Sequence, residues 1–480
     1  MKSNRKWWMA AAALALIACT ADARGDVKLP KIFGDSMVLQ QQSQAAVWGW
    51  AEAGEDVSVS LAGTQAATKA GPDGKWLVKL QTPAAGGPHE LVVKGKNEVK
   101  FKDVLVGEVW ICSGQSNMEW TVNISANPQE ETQNANHPQI RMIKVQHHVS
   151  DKPQTDIDGA WQVCSPATVP AFSAVGYYFG RQLQKDLNVP IGLINTSWGG
   201  TICETWASIE ALQAEPELKP IVDRVAKIDA TKPPEQQNPN QTSVLYNGMV
   251  NPLVPYGIRG AIWYQGESNV GRAEQYRKLF PTMIGDWRKR FGQGDFPFLF
   301  VQLAPYKYGP DPKPLAELWD SQLKTLATPN TGMCVTTDIS DIKDIHPKNK
   351  QEVGRRLALW ALGTTYGKHG LVYSGPLYES MAVENNKIRL KFKHVGGGLV
   401  ADGGKPLLHF TIAGEDQNFV EATAVIENDT VVVTSDKVPK PVAVRFAWDQ
   451  TAEPNFFNKE HLPASPFRTD DFKLVSAGAK

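Results

Sequence analysis

Residues 104–118 read VLVGEVWICSGQSNM, and this stretch decides the fold. Val104 to Cys112 is an almost continuous apolar run, which is typical of a strand that is buried on both faces of a parallel sheet. The polar turn at residues 114–118 follows at once, so Ser116 is presented at the carboxyl end of the predicted strand. Ligand sites of open parallel sheets lie at this edge.

Strands and helices alternate beyond this first strand. Further strands are predicted at Ile191–Asn195, Ile258–Tyr264, Phe296–Ala304 and Met333–Asp338. Helices are predicted at Val175–Leu187, Gln275–Phe291, Pro314–Ala327 and from Pro347 onward. This alternation predicts an α/β domain over residues 104–365, with helices on both faces of a parallel sheet.

The segments on either side of this domain carry short apolar runs separated by Gly and Pro turns. Residues 24–103 include the run Ala46–Trp50, and residues 366–480 include Val442–Phe446. Regular short strands with turn signals predict flanking segments of β-sandwich type. The pattern leaves open whether the two segments form separate domains or share one sandwich.

The composition is that of an ordinary globular protein, with 42% hydrophobic and 21% charged residues in a chain of 480. Fifty basic residues balance fifty acidic ones, so nothing indicates a nucleic-acid partner. Beyond the N-terminus, no apolar run is long enough to predict a membrane span. No Cys or His cluster has the spacing of metal ligands, so neither a metal nor a cofactor is expected.

Residues 1–23 are typical of an export signal. Basic residues precede the apolar run Trp7–Ala18, which is too short to cross a bilayer. Two processing sites fit the sequence: cleavage after Ala23, and a lipobox that would leave a lipidated Cys19. The sequence therefore predicts an exported protein, either periplasmic or anchored to the outer membrane as a lipoprotein.

Two further polar loops follow predicted strands. Residues 195–201 (NTSWGGT) carry adjacent glycines, whose N–H groups can approach a ligand closely and stabilise an oxyanion. Residues 265–269 (QGESN) add the carboxylate of Glu267 and the amide of Asn269, which can donate to an oxyanion. Each loop taken alone is more often an ordinary polar turn.

A third loop, residues 341–347 (DIKDIHP), brings carboxylates close to His346 in sequence. A carboxylate beside a histidine fixes the tautomer and stabilises the imidazolium. Because the carboxyl ends of parallel strands meet at one edge, we expect these loops to lie near Ser116. Together they supply a nucleophile, oxyanion donors, a base and an orienting acid, which are the groups that serine acyl transfer requires.

As a set, these motifs resemble the SGNH-hydrolase superfamily and, within it, the sialate O-acetylesterase family. The similar blocks are residues 107–110 (GEVW), 114–118 (GQSNM), 198–201 (WGGT), 263–269 (WYQGESN) and 344–347 (DIHP), with residues 33–40 (FGDSMVLQ) similar to the family's N-terminal region. The resemblance covers nearly the whole mature chain. It implies a three-layer α/β/α, flavodoxin-like esterase core without a metal, flanked by β-structure.

The resemblance also implies roles for individual residues. Ser116 matches the nucleophile and His346 the general base. The oxyanion hole is matched by the N–H of Ser116, a glycine of the pair Gly199 and Gly200, and Asn269. The superfamily spacing places an aspartate three residues before the histidine, where this chain has a lysine, so the acid stays open.

Four solutions remain for the group that supports the base. Asp344 is the first choice, since it lies two residues before His346. Glu267 is the second, because related carbohydrate esterases are similar in this loop, where Gln265 is a further candidate substrate contact. The third is a Ser–His dyad supported by a backbone carbonyl. Asp341, five residues before the histidine, is a further candidate.

The activity implied is hydrolysis of O-acetyl groups, from sialic acids in the first place, by serine acyl transfer. Four tryptophans flank the motif loops and can stack on a sugar ring: Trp120, Trp198, Trp206 and Trp263. An esterase of acetylated xylan or another hemicellulose is the alternative, since substrate contacts transfer poorly within families. A non-catalytic surface glycan-binding protein is the alternative of another class, although a binding module does not need the full catalytic set.

Overall fold

The computed structural model describes residues 26–224, 228–229, 231–233 and 236–480. The predicted export signal and Cys19 lie outside the described residues. Within these ranges, no helix is both long and apolar enough to cross a membrane. The four cysteines that are described are buried free thiols: Cys112, Cys164, Cys203 and Cys334.

The N-terminal segment is built of strands. They are β1 (Val38–Gln40), β2 (Gln44–Trp50), β3 (Asp56–Leu61), β4 (Thr64–Lys69), β5 (Lys75–Gln81), β6 (Gly86–Lys94) and β7 (Glu98–Gly114). The first half of β7 pairs with β6, and its second half enters the central sheet. The predicted domain boundary after residue 103 therefore falls inside one strand, and a single hydrophobic core runs through both parts.

The central sheet has the order β13-β12-β11-β7-β10-β8-β9. Its remaining strands are β8 (His137–Lys144), β9 (Trp161–Cys164), β10 (Ile191–Ser197), β11 (Gly260–Tyr264), β12 (Phe298–Val301) and β13 (Thr331–Cys334). Every pair is parallel except β8 with β9, so the predicted parallel sheet is confirmed. The carboxyl ends of β7, β10 and β11 lie side by side at its centre.

Helices cover both faces of this sheet. They are α1 (Ser116–Glu119), α2 (Pro128–Gln133), α3 (Ala174–Leu187), α4 (Ile209–Gln213), α5 (Lys219–Val222), α6 (Ala273–Phe291), α7 (Lys313–Thr325) and α8 (Lys350–Trp360). On one face α3 packs against α8 and places Gly176 over the Cys112 thiol. On the other face α6 packs against α7, and its Phe280 stacks on Trp263 of β11. The three-layer α/β/α prediction is confirmed.

The C-terminal segment returns to β-structure, as predicted. Its strands are β14 (Leu377–Glu384), β15 (Lys387–Lys393), β16 (Leu399–Ala401), β17 (Phe410–Ala413), β18 (Val420–Glu421), β19 (Thr423–Glu427), β20 (Thr430–Thr434), β21 (Ala443–Phe446), β22 (Phe456–Asn458) and β23 (Phe467–Arg468). Two four-stranded antiparallel sheets enclose a second hydrophobic core. A buried ion pair of 3.3 Å between Arg468 and Asp320 joins this segment to α7.

Candidate active site

The turn that presents Ser116 is fixed by backbone contacts between β7 and β11. Gly114 has φ +136°, and a Cβ at this position would lie 2.1 Å from the carbonyl oxygen of Tyr264. Only glycine accepts both this conformation and this approach. Gln115 N–H donates to the same Tyr264 oxygen at 2.9 Å. The chain therefore leaves the sheet sharply, and Ser116 begins α1 at the carboxyl edge.

Ser116 and His346 form a hydrogen-bonded pair. The distance between Ser116 Oγ and His346 Nε2 is 2.9 Å, so the imidazole can accept the hydroxyl proton. The ring of Trp120 stacks on the imidazole, with 4.8 Å between centroids. Burial lowers the pKa of His346, and the charge of Lys350 lowers it further, whereas Asp344 acts in the opposite direction. The base is therefore held towards its neutral form.

Asp344 is the carboxylate that faces this imidazole. Its Oδ1 accepts the backbone N–H of His346 at 2.9 Å and lies 3.7 Å from His346 Nδ1. The second distance is too long for a hydrogen bond but short enough for a charge to stabilise an imidazolium. Asp341 is exposed, and its Oδ1 accepts the N–H of Lys343. The Oε1 of Glu267 accepts from Asn117 Nδ2 at 2.5 Å.

Gly199 lies directly against the nucleophile. A Cβ on Gly199 would be 3.3 Å from Ser116 Cβ, and its N–H donates to Glu119 Oε2 at 2.7 Å. Trp198 N–H donates to the carbonyl of Gly114 at 3.1 Å, which ties this loop to the end of β7. The Gly199 N–H, which the sequence analysis predicted as an oxyanion donor, is therefore engaged by a carboxylate. The neighbouring Gly200 is exposed with φ +74°.

The pair of Glu119 and His147 is a part of the site that sequence reasoning missed. Glu119 Oε1 lies 3.0 Å from His147 Nε2, which is also 3.2 Å from the carbonyl of Ser197. The His147 ring stacks on Trp198 with 3.9 Å between centroids. Burial raises the pKa of Glu119, but the hydrogen bond and charge of His147, with the Gly199 N–H, bring that pKa below its ordinary value. Glu119 is therefore a carboxylate beside the nucleophile.

His147 follows β8, a strand that the sequence analysis did not predict. Without that strand, nothing in the sequence placed this histidine at the catalytic edge. The available signal for Glu119 was its position three residues after Ser116, because residues so spaced share one face of a helical turn.

Asn269 is buried in the polar network of its own loop. Its Nδ2 donates to Glu204 Oε2 at 3.0 Å, and its Oδ1 accepts from Cys203 N–H at 2.9 Å and Gln265 Nε2 at 2.7 Å. These bonds engage both ends of the amide. The structure therefore ties Asn269 and Gln265 to the chain around Cys203.

The four tryptophans divide into two pairs. Trp206 and Trp263 have 0% exposure and contact each other edge to face at 6.1 Å. Because both rings are enclosed in the core, the structure contradicts a sugar-stacking role for them. Trp120 and Trp198 are partly exposed and stack on His346 and His147. Only this second pair is placed at the rim of the site.

A serine hydrogen-bonded to a histidine at the carboxyl edge of a three-layer parallel sheet defines a serine esterase. The model of the family "carbohydrate esterase, sialic acid-specific acetylesterase" matches residues 106–362, and the chain belongs to this family. It is a serine carboxylic-ester hydrolase that acts on carbohydrates, as the sequence predicted.

The chain is also similar to individual esterases in sequence and in structure. The chain is 33% identical to the sialate O-acetylesterase of Rattus norvegicus, over 71% of this chain and 74% of the relative. It is 30% identical to the sialate O-acetylesterase of Homo sapiens, over 90% of both chains. The crystal structure of a carbohydrate acetylesterase from Xanthomonas citri is similar with a TM-score of 0.85 and 40% identity, and the match covers 93% of this chain and 100% of that one.

Proposed function

We propose that this esterase removes O-acetyl groups from sialic acids and that Ser116 and His346 perform the reaction. The observation that carries the proposal is the 2.9 Å contact between Ser116 Oγ and His346 Nε2. The choice of sugar is supported by the relatives, since both the rat and the human protein are sialate O-acetylesterases.

The reaction begins when His346 takes the hydroxyl proton of Ser116 and the alkoxide attacks the acetyl carbonyl. The sugar hydroxyl leaves with the proton from His346, and an acetyl group remains on Ser116. A water molecule, deprotonated by His346, then attacks this ester, and His346 returns the proton to Ser116 Oγ as acetate leaves. Asp344 stabilises the imidazolium that forms in both steps, through its charge at 3.7 Å.

We assign the role of holding the tetrahedral oxyanion to two backbone N–H groups. One belongs to Ser116, because the first N–H groups of a helix have no partner within it. The other belongs to Gly199, which lies against the nucleophile. The Gly199 N–H is hydrogen-bonded to the Glu119 carboxylate. This hydrogen bond must break before the N–H can donate to the oxyanion.

One observation favours a second substrate class, neutral acetylated sugars such as those of xylan and other hemicelluloses. The Glu119 carboxylate lies beside Ser116, and a negative charge there disfavours the carboxylate of a sialic acid on that side of the site. The Xanthomonas citri relative is a carbohydrate acetylesterase without a stated sugar.

The test is acetate release from O-acetylated sialosides and from acetylated xylan, measured side by side. We expect faster release from the sialoside, and preference for xylan would favour the second class. Ser116→Ala should abolish release from both while it unfolds at the same temperature as the wild type. Near-wild-type activity of Ser116→Ala would overturn the mechanism. An organophosphonate should label Ser116, whereas a non-catalytic glycan-binding protein would not react.

We also propose that the protein is exported, which the basic and apolar residues 1–23 support. Mass spectrometry of the N-terminal peptide from the mature protein tests this proposal. A peptide that begins at Arg24 indicates cleavage after Ala23, and a diacylglyceryl adduct on Cys19 indicates a lipoprotein. An unprocessed N-terminus in cytoplasmic protein would refute export.

A further inference from the structure

Lys350 is a buried lysine that contacts Asn117, the residue after Ser116. It begins α8, has 0% exposure, and lies over the rings of Tyr264 at 5.2 Å and Trp120 at 5.7 Å. Its Nζ donates to Asn117 Oδ1. Burying an ammonium group is costly unless it is paired and hydrogen-bonded. A lysine in this position therefore calls for a role that outweighs the cost of its burial.

Asn117 connects this lysine to both halves of the catalytic machinery. It follows Ser116 in the chain, and its Nδ2 donates to the carbonyl of Ile345 at 3.0 Å. The residue after Ile345 is His346. The same Nδ2 donates to Glu267 Oε1 at 2.5 Å. Both amide hydrogens and the amide oxygen of Asn117 are thus engaged, which fixes its orientation.

Several charged groups interact around this amide. The charge of Lys350 is attracted by the carboxylates of Glu267 and Asp344, and the imidazole of His346 interacts with the charges of Lys350 and Asp344. Burial lowers the pKa of Lys350 to about 7, against the attraction of both carboxylates. Burial likewise raises the pKa of Glu267. Below neutral pH, where the base of the reaction titrates, Lys350 is the positive charge nearest to the imidazole in this network.

We propose that Lys350 is a positioning residue that acts through Asn117. It orients the amide so that Asn117 holds the carbonyl of Ile345 and keeps His346 within hydrogen-bond distance of Ser116. Its charge also holds the imidazole in the neutral form that accepts a proton. This inference rests on the proposed roles of Ser116 and His346 and adds a residue that the sequence analysis did not select.

The test compares three variants with a small neutral ester, p-nitrophenyl acetate, over a range of pH. Lys350→Met removes both charge and donor, and Lys350→Gln removes the charge but keeps a donor for Asn117. Lys348→Met is the matched control, because Lys348 is exposed and lies two residues away. The temperature of unfolding is measured for each variant.

For Lys350→Met, we expect kcat to fall by about 10- to 100-fold with KM little changed, because the base loop is no longer held. The midpoint of the acid limb of kcat/KM should move upward by roughly half a unit, because a positive charge near the imidazole is lost. Lys350→Gln should recover much of kcat but keep the shifted midpoint. Lys348→Met should match the wild type in both.

A cooperatively unfolding Lys350→Met with wild-type kcat and acid midpoint would overturn the proposal. If Lys350→Met does not fold, Lys350→Gln provides the test, and an unshifted acid midpoint in that variant overturns the proposal. A fall in kcat with an unshifted midpoint also overturns it, because Lys350 would then have a purely structural role. Failure of the proposed function itself is distinguishable, because it appears as activity in Ser116→Ala.

Discussion

Glu119 Oε2 accepts a 2.7 Å hydrogen bond from the N–H of Gly199, in a loop that lies directly against Ser116. A carboxylate thus engages the N–H group that we propose as a donor to the tetrahedral oxyanion. The paired imidazole of His147, stacked on Trp198, holds this carboxylate in place. The negative charge of Glu119 therefore affects whether the site favours anionic or neutral substrates.

Glu119→Gln should shift preference towards anionic substrates. Glutamine keeps an acceptor for the Gly199 N–H but removes the negative charge. We expect the ratio of kcat/KM for an O-acetylated sialic acid to that for its carboxyl methyl ester to rise about three- to tenfold, since repulsion is relieved. Glu130→Gln, an exposed acid on α2, is the matched control. An unchanged ratio in Glu119→Gln would show that the sugar carboxylate does not face Glu119.

The midpoint of the acid limb in the wild-type pH profile of kcat/KM should lie below 6.5, the ordinary pKa of a histidine. Only the neutral form of His346 can accept the Ser116 proton, and burial with the charge of Lys350 lowers its pKa from 6.5. Because the neutral form then persists to lower pH, the midpoint at which kcat/KM falls should lie below pH 6.5. Initial rates with p-nitrophenyl acetate at constant ionic strength measure this. A midpoint above 6.5 would contradict the prediction.

The central sheet and the serine turn were predictable because their signals are local. The apolar run of β7 and the glycine at residue 114 specify a buried strand and a sharp turn without reference to the rest of the chain. Strand β8 was missed because Arg141 interrupts its apolar pattern. That guanidinium can be buried because it is paired: Asp103, distant in sequence, lies 2.5 Å from it, and backbone carbonyls accept further hydrogen bonds.

The partners of the site residues were less accessible to sequence reasoning. A lysine at the start of a helix is typical of an exposed residue, yet Lys350 is covered by two rings from other elements. The partners of the Asn269 amide, Glu204 and Cys203, lie 65 and 66 residues away in sequence, so the sequence alone did not give them. Side-chain direction at a strand end depends on the neighbouring strands, which the sequence alone does not give.

Asp344 and Glu267 should respond differently to loss of charge. Asp344→Asn should lower kcat by about 10- to 100-fold, because the carboxylate that faces the imidazole no longer stabilises its charged form. Glu267→Gln keeps an acceptor for Asn117 and should lower kcat about tenfold or less. Single-turnover rates with p-nitrophenyl acetate compare the two. The opposite order of effects would identify Glu267 as the acid.

Stability should distinguish the buried tryptophans from the rim tryptophans. Trp263 lies in β11 with 0% exposure, and its ring contacts Phe280, Trp287 and Phe298. Trp263→Ala should lower the free energy of unfolding by about 3–5 kcal/mol, through lost burial and the cavity left behind.

Trp198→Ala is the matched comparison for Trp263→Ala. Its ring is partly exposed and loses chiefly the stack on His147, so the free energy of unfolding should fall by about 1 kcal/mol. The main effect should instead be slower turnover of acetylated sugars, because Glu119 and His147 lose a packed neighbour beside Ser116. Urea unfolding measures the first quantity and acetate release the second. Equal losses of stability in the two variants would mean that Trp198 belongs to the core rather than to the rim.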